Sequence, residues 1–268
     1  MRQFDGSRFS AGLLCCGAAL VVLLGLTFAL ARKLGKHSVV DVAWGLGFLL
    51  VAVGTFLVSH DTGNSARCRL ITAMAVLWGA RLAWHIGRRN AGHGEDPRYE
   101  ALLGKVAPAK RNAYALRMIY GLQALLILFI SLPLQTAQYS ERPIGILAWC
   151  GLTVWALGLF FEAVGDRQLE QFKADPANKG KIMDRGLWRY TRHPNYFGDT
   201  CVWWGIWLVA ADAGKWGALT VLSPVVMTLF LTKGSGAALT EKRMAGRPGF
   251  AEYVARTSGF IPLPPRRN

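Results

Sequence analysis

The chain has 268 residues, of which 52% are hydrophobic and 18% charged, and its formal net charge is +15. A soluble domain carries about a quarter charged residues; here long stretches hold none and the charges gather between them. That distribution excludes a disordered chain, a basic nucleic-acid-binding domain and an ordinary soluble enzyme. The fold class it implies is all-α, a polytopic transmembrane helix bundle.

Seven apolar runs follow in chain order, near residues 11–31, 38–58, 70–87, 118–134, 144–161, 200–211 and 216–232. A helix needs about 20 residues to cross ~30 Å of hydrocarbon, so the sixth run is short for a span. Charge at bilayer depth costs roughly 3 kcal/mol per residue, which drives Lys and Arg into the loops. The first run ends in Phe28-Ala29-Leu30-Ala31, which resembles a cleavage site. It is longer than a signal-peptide core, however, and Asp5 lies in its head region, so a retained helix is expected.

Lys and Arg total 24 in the segments after runs one, three, five and seven, against 6 in the alternate segments. Cytoplasmic loops keep the positive excess, so the N-terminus is expected outside and the C-terminus inside. The basic balance then reflects topology, with the anionic inner leaflet as its partner and no nucleic acid. The five cysteines, at 15, 16, 68, 150 and 201, form no CxxC pair, so neither a disulfide framework nor a zinc site is expected. Residues 1–268 read as a single integral membrane domain. Its polar residues concentrate in loops at 88–117 and 162–199 and in a tail from Lys233 that ends in the extended Ile261-Pro262-Leu263-Pro264-Pro265.

Four groups of polar residues stand out at the expected cytoplasmic mouth. Asp41 sits one turn into the second run; it reads equally as a carboxylate at a helix N-terminus and as an intramembrane acid beside a pocket. Arg81 and His85 are four residues apart and share a helix face, which suits an anionic ligand; snorkelling of Arg81 to the interface is the alternative. The Arg88–Tyr99 loop mixes both charge signs with Gly and Pro and reads as a solvated, self-paired turn. The stretch Asp166–Asp199 holds seven cations, and its end, Arg192-His193-Pro194-Asn195-Tyr196, leads directly into the sixth run. Lys and Arg suit phosphate, and Asn and Asp suit amide or ribose groups. A basic patch on anionic lipid explains the cations but not the His-Pro-Asn-Tyr block.

Gly186–Asp199 resembles the C-terminal domain of the steroid 5-alpha-reductase-like membrane family, in particular its bacterial branch of unassigned substrate. Asp41-Val42-Ala43-Trp44-Gly45, Gly94-Glu95-Asp96-Pro97-Arg98-Tyr99, Leu231–Gly236 with Glu241–Met244, Glu252-Tyr253 and Phe260-Ile261-Pro262 are similar to the same branch, so the resemblance covers roughly residues 38–262. It implies a seven-helix reductase in a bacterial inner membrane that takes NADPH from the cytoplasm. The cofactor-binding residues it implies are Arg81, His85, Arg98, Asp166, Lys173, Lys181, Arg192, His193, Asn195, Asp199, Glu241 and Tyr253. Departures from the steroid enzymes include Glu162 and Glu170, where they place Asn and Arg, and Trp78, where they place a catalytic Tyr.

The expected reaction is reduction of a carbon–carbon double bond conjugated to a carbonyl in a lipophilic small molecule that enters from the bilayer. An acid, Asp41 or Tyr196, polarises the carbonyl oxygen as negative charge develops. Two other classes remain open. One is an isoprenylcysteine-type methyltransferase using S-adenosylmethionine, which shares part of the Arg-His-Pro block. The other is a non-enzymatic lipid-binding membrane protein.

Overall fold

Asp5 opens the first helix by accepting hydrogen bonds from the Ser7 and Arg8 N–H groups at 3.1 and 3.0 Å, and Gly35 closes it in the left-handed region at φ 64°. The computed structural model describes residues 4–59, 61–234 and 236–266. In chain order its α-helices are α1 (Gly6–Leu34), α2 (Val40–Ser59), α3 (Ser65–Asn90), α4 (Pro97–Gly104), α5 (Arg111–Ala115), α6 (Leu122–Ile130), α7 (Leu132–Ala137), α8 (Ile146–Ala174), α9 (Pro194–Asp212), α10 (Lys215–Ala218), α11 (Leu222–Thr232), α12 (Ala237–Met244) and α13 (Phe250–Arg256). A π-helical segment, Leu116–Gly121, joins α5 to α6. Among the described residues there is no strand, only an isolated bridge between Thr191 and Ser258.

Among the described residues, six helical stretches are long and apolar enough to cross a membrane: Gly6–Leu34, His37–Ser59, Ser65–Asn90, Pro108–Ala137, Ile146–Ala174 and Lys215–Met244. They fit an integral multi-pass membrane protein and coincide with six of the seven apolar runs. The remaining run lies in α9, which has 19 residues and carries Asn195, Asp199 and Asp212. Ser235, within the Leu231–Gly236 motif, lies outside the described residues.

The chain folds as two compact units, Met1–Ala148 with Val209–Thr220, and Trp149–Leu208 with Val221–Asn268. In the first, small residues set the helix spacing. A Cβ on Gly45 of α2 would lie 2.6 Å from the Gly79 carbonyl oxygen of α3, and a Cβ on Gly79 equally close to the Gly45 oxygen. Only glycine permits that approach, the usual route to tight helix contact in lipid, where burial of apolar surface supplies no drive. At the end of this unit remote from Asp41, the fully buried Arg67 donates to the Val209 and Pro143 carbonyls, each at 2.8 Å, and to Asp212 at 2.7 Å.

In the second unit the glycines recur every seven residues. A Cβ on Gly158 of α8 would lie 2.5 Å from the Gly198 oxygen of α9, and one on Gly205 2.6 Å from the Gly151 oxygen. Gly165, next in the α8 series, takes the Pro194 ring, whose Cγ would be 3.1 Å from an added Cβ. The stripe therefore brings the start of α9 against the last turns of α8.

Candidate functional site

The first unit gathers polar side chains at the N-terminus of α2. Asp96 caps α4, with Pro97 in the first turn where a missing N–H costs nothing. That cap turns the next two side chains toward α2. Arg98 Nη2 donates to Asp41 Oδ2 at 2.7 Å and Tyr99 OH donates to Asp41 Oδ1 at 2.6 Å. Arg98 also binds Asp96, at 3.0 Å. Glu95 accepts from the His37 N–H, and from the Ser38 N–H at 2.9 Å, satisfying donors that a helix start leaves free. Burial and the neighbouring Asp41 carboxylate both push the Tyr99 phenol well above its ordinary value, so it stays protonated and donating.

The Gly94–Tyr99 loop is thus more than the self-paired turn expected of it: it caps α2 and balances the Asp41 charge. His37 Nδ1 lies 3.2 Å from Tyr120 OH, which the π-helical segment presents on this side. Asp41 is here an ion-paired acceptor. Arg81 and His85 lie half-buried on successive turns of α3.

The second unit gathers most of the remaining predicted residues around the first turn of α9. Trp188 Nε1 donates to the Gly165 carbonyl at 2.9 Å and the Leu187 N–H to Gln168 at 2.9 Å, so the preceding loop is pinned on α8. Pro194 occupies the first helical position, and Asn195 Nδ2 donates to Asp166 Oδ1 at 3.2 Å. Asn195 Oδ1 accepts from the Tyr196 N–H at 3.1 Å. Asp199, one turn further along α9, is buried.

His193 stacks on the Tyr196 ring at 5.4 Å and an interplanar angle of 14°, and its Nε2 lies 2.9 Å from Glu241 Oε1. Burial holds the imidazole below its ordinary value, with Glu241 opposing. A neutral ring with Nε2–H donating to the carboxylate satisfies both effects. Arg192 Nε donates to the same Glu241 oxygen at 2.8 Å, and its Nη1 donates to the Thr257 carbonyl at 2.6 Å. Tyr253 OH donates to the Trp188 carbonyl at 2.6 Å, and burial raises its phenol. Lys173 and Lys181 are exposed, Lys173 at the end of α8 and Lys181 in the irregular segment after Gly180.

Asp166, Arg192, His193, Asn195, Tyr196, Glu241 and Tyr253 therefore form one neighbourhood in the second unit, and Asp41 and Arg98 another in the first. Three of the residues assigned to cofactor, Arg98, Arg192 and Tyr253, direct donors to the protein itself: Nε and Nη2 of Arg98, Nε and Nη1 of Arg192 and the Tyr253 hydroxyl. The roles of Glu95, Tyr99, Gln168 and Trp188 were not read from the sequence. The Asp-Pro pair at 96–97 is a helix-start signal that could have pointed to the first two.

A family model described as a protein of unknown function, DUF1295, matches residues 27–257. An uncharacterised protein of Schizosaccharomyces pombe is 23% identical over 252 residues, covering 84% of this chain and 70% of its own length. A probable O-methyltransferase, ustE of Ustilaginoidea virens, is 39% identical over 64 residues, covering 24% of this chain and 22% of its own length. No solved structure matches the chain significantly. With six apolar helices and a family match over most of its length, the chain is a membrane protein of the DUF1295 family.

Proposed function

We propose that the protein is an NADPH-dependent membrane reductase of a conjugated carbon–carbon double bond in a lipophilic carbonyl compound. The observation that carries this reading is the Asp166–Asn195 pair at the first turn of α9, beside the His193–Glu241 pair. The donor set fits a dinucleotide. The Asn195 amide suits a nicotinamide carboxamide, the Asp166 carboxylate a ribose hydroxyl, and Lys173 and Lys181 the phosphates. Arg192 Nε and Nη1 already hold Glu241 and the Thr257 carbonyl, and the Tyr253 hydroxyl holds the Trp188 carbonyl, so both residues support the loop that carries these groups.

Bound NADPH supplies the hydride. Tyr196 is the acid: its phenol, carried on the same turn as Asn195 and stacked on His193, holds a proton for the carbonyl oxygen as negative charge develops there. Asp41 is less suited to that task, since its carboxylate already accepts from Arg98 and Tyr99.

The test is Asn195→Asp. Asn195 is the second residue of α9 and its amide donates to Asp166, so the unfolding temperature is measured beside ligand affinity to separate a structural loss from a loss of binding. A cofactor contact loses a donor and gains a charge next to Asp166, costing on the order of 2 kcal/mol. The expected result is a folded protein with a lower unfolding temperature, from the lost bond to Asp166, and NADPH affinity reduced at least about tenfold; unchanged affinity sinks the assignment. A second reading, an S-adenosylmethionine-dependent methyltransferase, is favoured by the partial match to a probable O-methyltransferase. Thermal shifts with NADPH and with S-adenosylmethionine separate the two, because a ligand at 100 times its dissociation constant stabilises by about 2.7 kcal/mol.

A further inference from the structure

We propose that the segment running from α4 into the span Pro108–Ala137 is a docking surface for anionic phospholipid headgroups. From Ala101 to Ser140 the chain contains no carboxylate. Lys105, Lys110, Arg111 and Arg117 lie in that stretch and all four are exposed. Among the described residues none of the four has a carboxylate partner. Arg111 is steadied by a bond from its Nε to the Val106 carbonyl, at 3.1 Å.

The length of the span sets their depth. Thirty residues rising ~1.5 Å each measure about 45 Å, some 15 Å more than the hydrocarbon core. The excess, about ten residues, belongs at the first end, because Met118–Ile130 carries no charge whereas Lys110, Arg111 and Arg117 precede it. Residues 108–117 therefore stand in the headgroup layer, at the depth of lipid phosphates, on the side that the Lys/Arg asymmetry assigns to the cytoplasm.

Tyr114 lies four residues after Lys110 and three before Arg117, the spacing of one helical face. It is half-buried against the cluster that includes Tyr120 and Leu103, as an interfacial aromatic residue is. Leu116 and Met118, 46% and 45% exposed, lie beside the cations, where acyl chains would cover them. Cations flanked by exposed apolar side chains fit a phosphate that carries a lipid tail better than a free anion. Each cation near an anionic surface strengthens binding roughly fivefold. Tyr99 and Leu102 of α4 pack on the same cluster, so a lipid held here braces the corner that contains Asp41. The inference is independent of the reaction proposed above.

The test uses the full-length protein in bilayers containing equal phosphatidylglycerol and phosphatidylcholine of matched chains, with bound lipid counted by native mass spectrometry. The wild type is expected to retain phosphatidylglycerol over phosphatidylcholine by about fivefold or more. Lys105→Gln/Lys110→Gln/Arg111→Gln/Arg117→Gln is expected to abolish that preference, and the shorter Lys110→Gln/Arg117→Gln pair, usable if the quadruple variant does not fold, to at least halve it. Lys105→Arg/Lys110→Arg, which keeps the charge, retains it. Removing four tail cations instead (Lys242, Arg243, Arg247 and Arg266, each to Gln) leaves it unchanged. No preference in the wild type, equal loss in the tail variant, or displacement of the lipid by excess inorganic phosphate would each overturn the proposal.

Discussion

Asp41 and His193 show how a partner decides what a titratable side chain does. Asp41 faces a guanidinium and a phenol, each within 2.7 Å, and both donate to its carboxylate. Asp41→Asn keeps the shape and removes the charge that balances Arg98. We expect a loss of about 2 kcal/mol, read as a lower unfolding temperature in detergent, and partial recovery in Asp41→Glu. Equal stability of wild type and Asp41→Asn would show that Arg98 needs only Asp96.

His193 is buried with its folded-state value held below the ordinary one, about 6.5. The unfolded chain therefore takes up a proton first as pH falls. The stability this group contributes is present above pH ~6.5 and is lost as pH drops through the lower folded-state value. The wild type is expected to lose stability through that window relative to His193→Gln, which has no proton to gain. Parallel stability profiles for the two proteins would mean that the pairing with Glu241 offsets burial. The residue types at this site were legible in the sequence. Their partners were not, because Glu241 is 48 residues from His193 and Asp166 is 29 residues from Asn195.

At the scale of elements, glycine decides how close α8 and α9 come. With a backbone oxygen 2.5 Å from any added Cβ, Gly158 and Gly198 tolerate no side chain without separating the helices. Gly158→Leu is expected to cost about 3 kcal/mol or more through overpacking, with an equally sharp fall in NADPH binding. A variant that kept both stability and ligand binding would show that the helices meet elsewhere. The seven-residue recurrence of Gly151, Gly158 and Gly165 stands in the sequence. In lipid it is informative, since small residues mark helix contacts there. Which helix answers the stripe could not be read from it, because a periodicity marks a helix face and not the partner that packs on it. The apolar runs were the most legible feature, since hydrocarbon demands unbroken apolar length whatever the packing. The α9 run was the least so, because Asn195, Asp199 and Asp212 interrupt its apolar length.

At the scale of the whole molecule, topology follows from charge. The 24-to-6 division of Lys and Arg predicts that the loops at Gly94 and Lys179 face the cytoplasm. Cysteines introduced at those positions should resist a membrane-impermeant thiol reagent in intact cells and react after permeabilisation. Labelling of either from outside would reverse the orientation. The sequence by itself determined the helical class, the membrane setting and the residue types in the polar segments. Each of these is a one-dimensional property: the cost of desolvating charge and backbone is incurred residue by residue, wherever the chain goes. Only the tertiary structure decided which donors are already engaged, namely that Arg98 and Arg192 hold carboxylates and carbonyls of the protein while Asn195 meets Asp166. Partner choice depends on distances of about 3 Å between groups tens of residues apart, and packing of small residues between helices sets those distances.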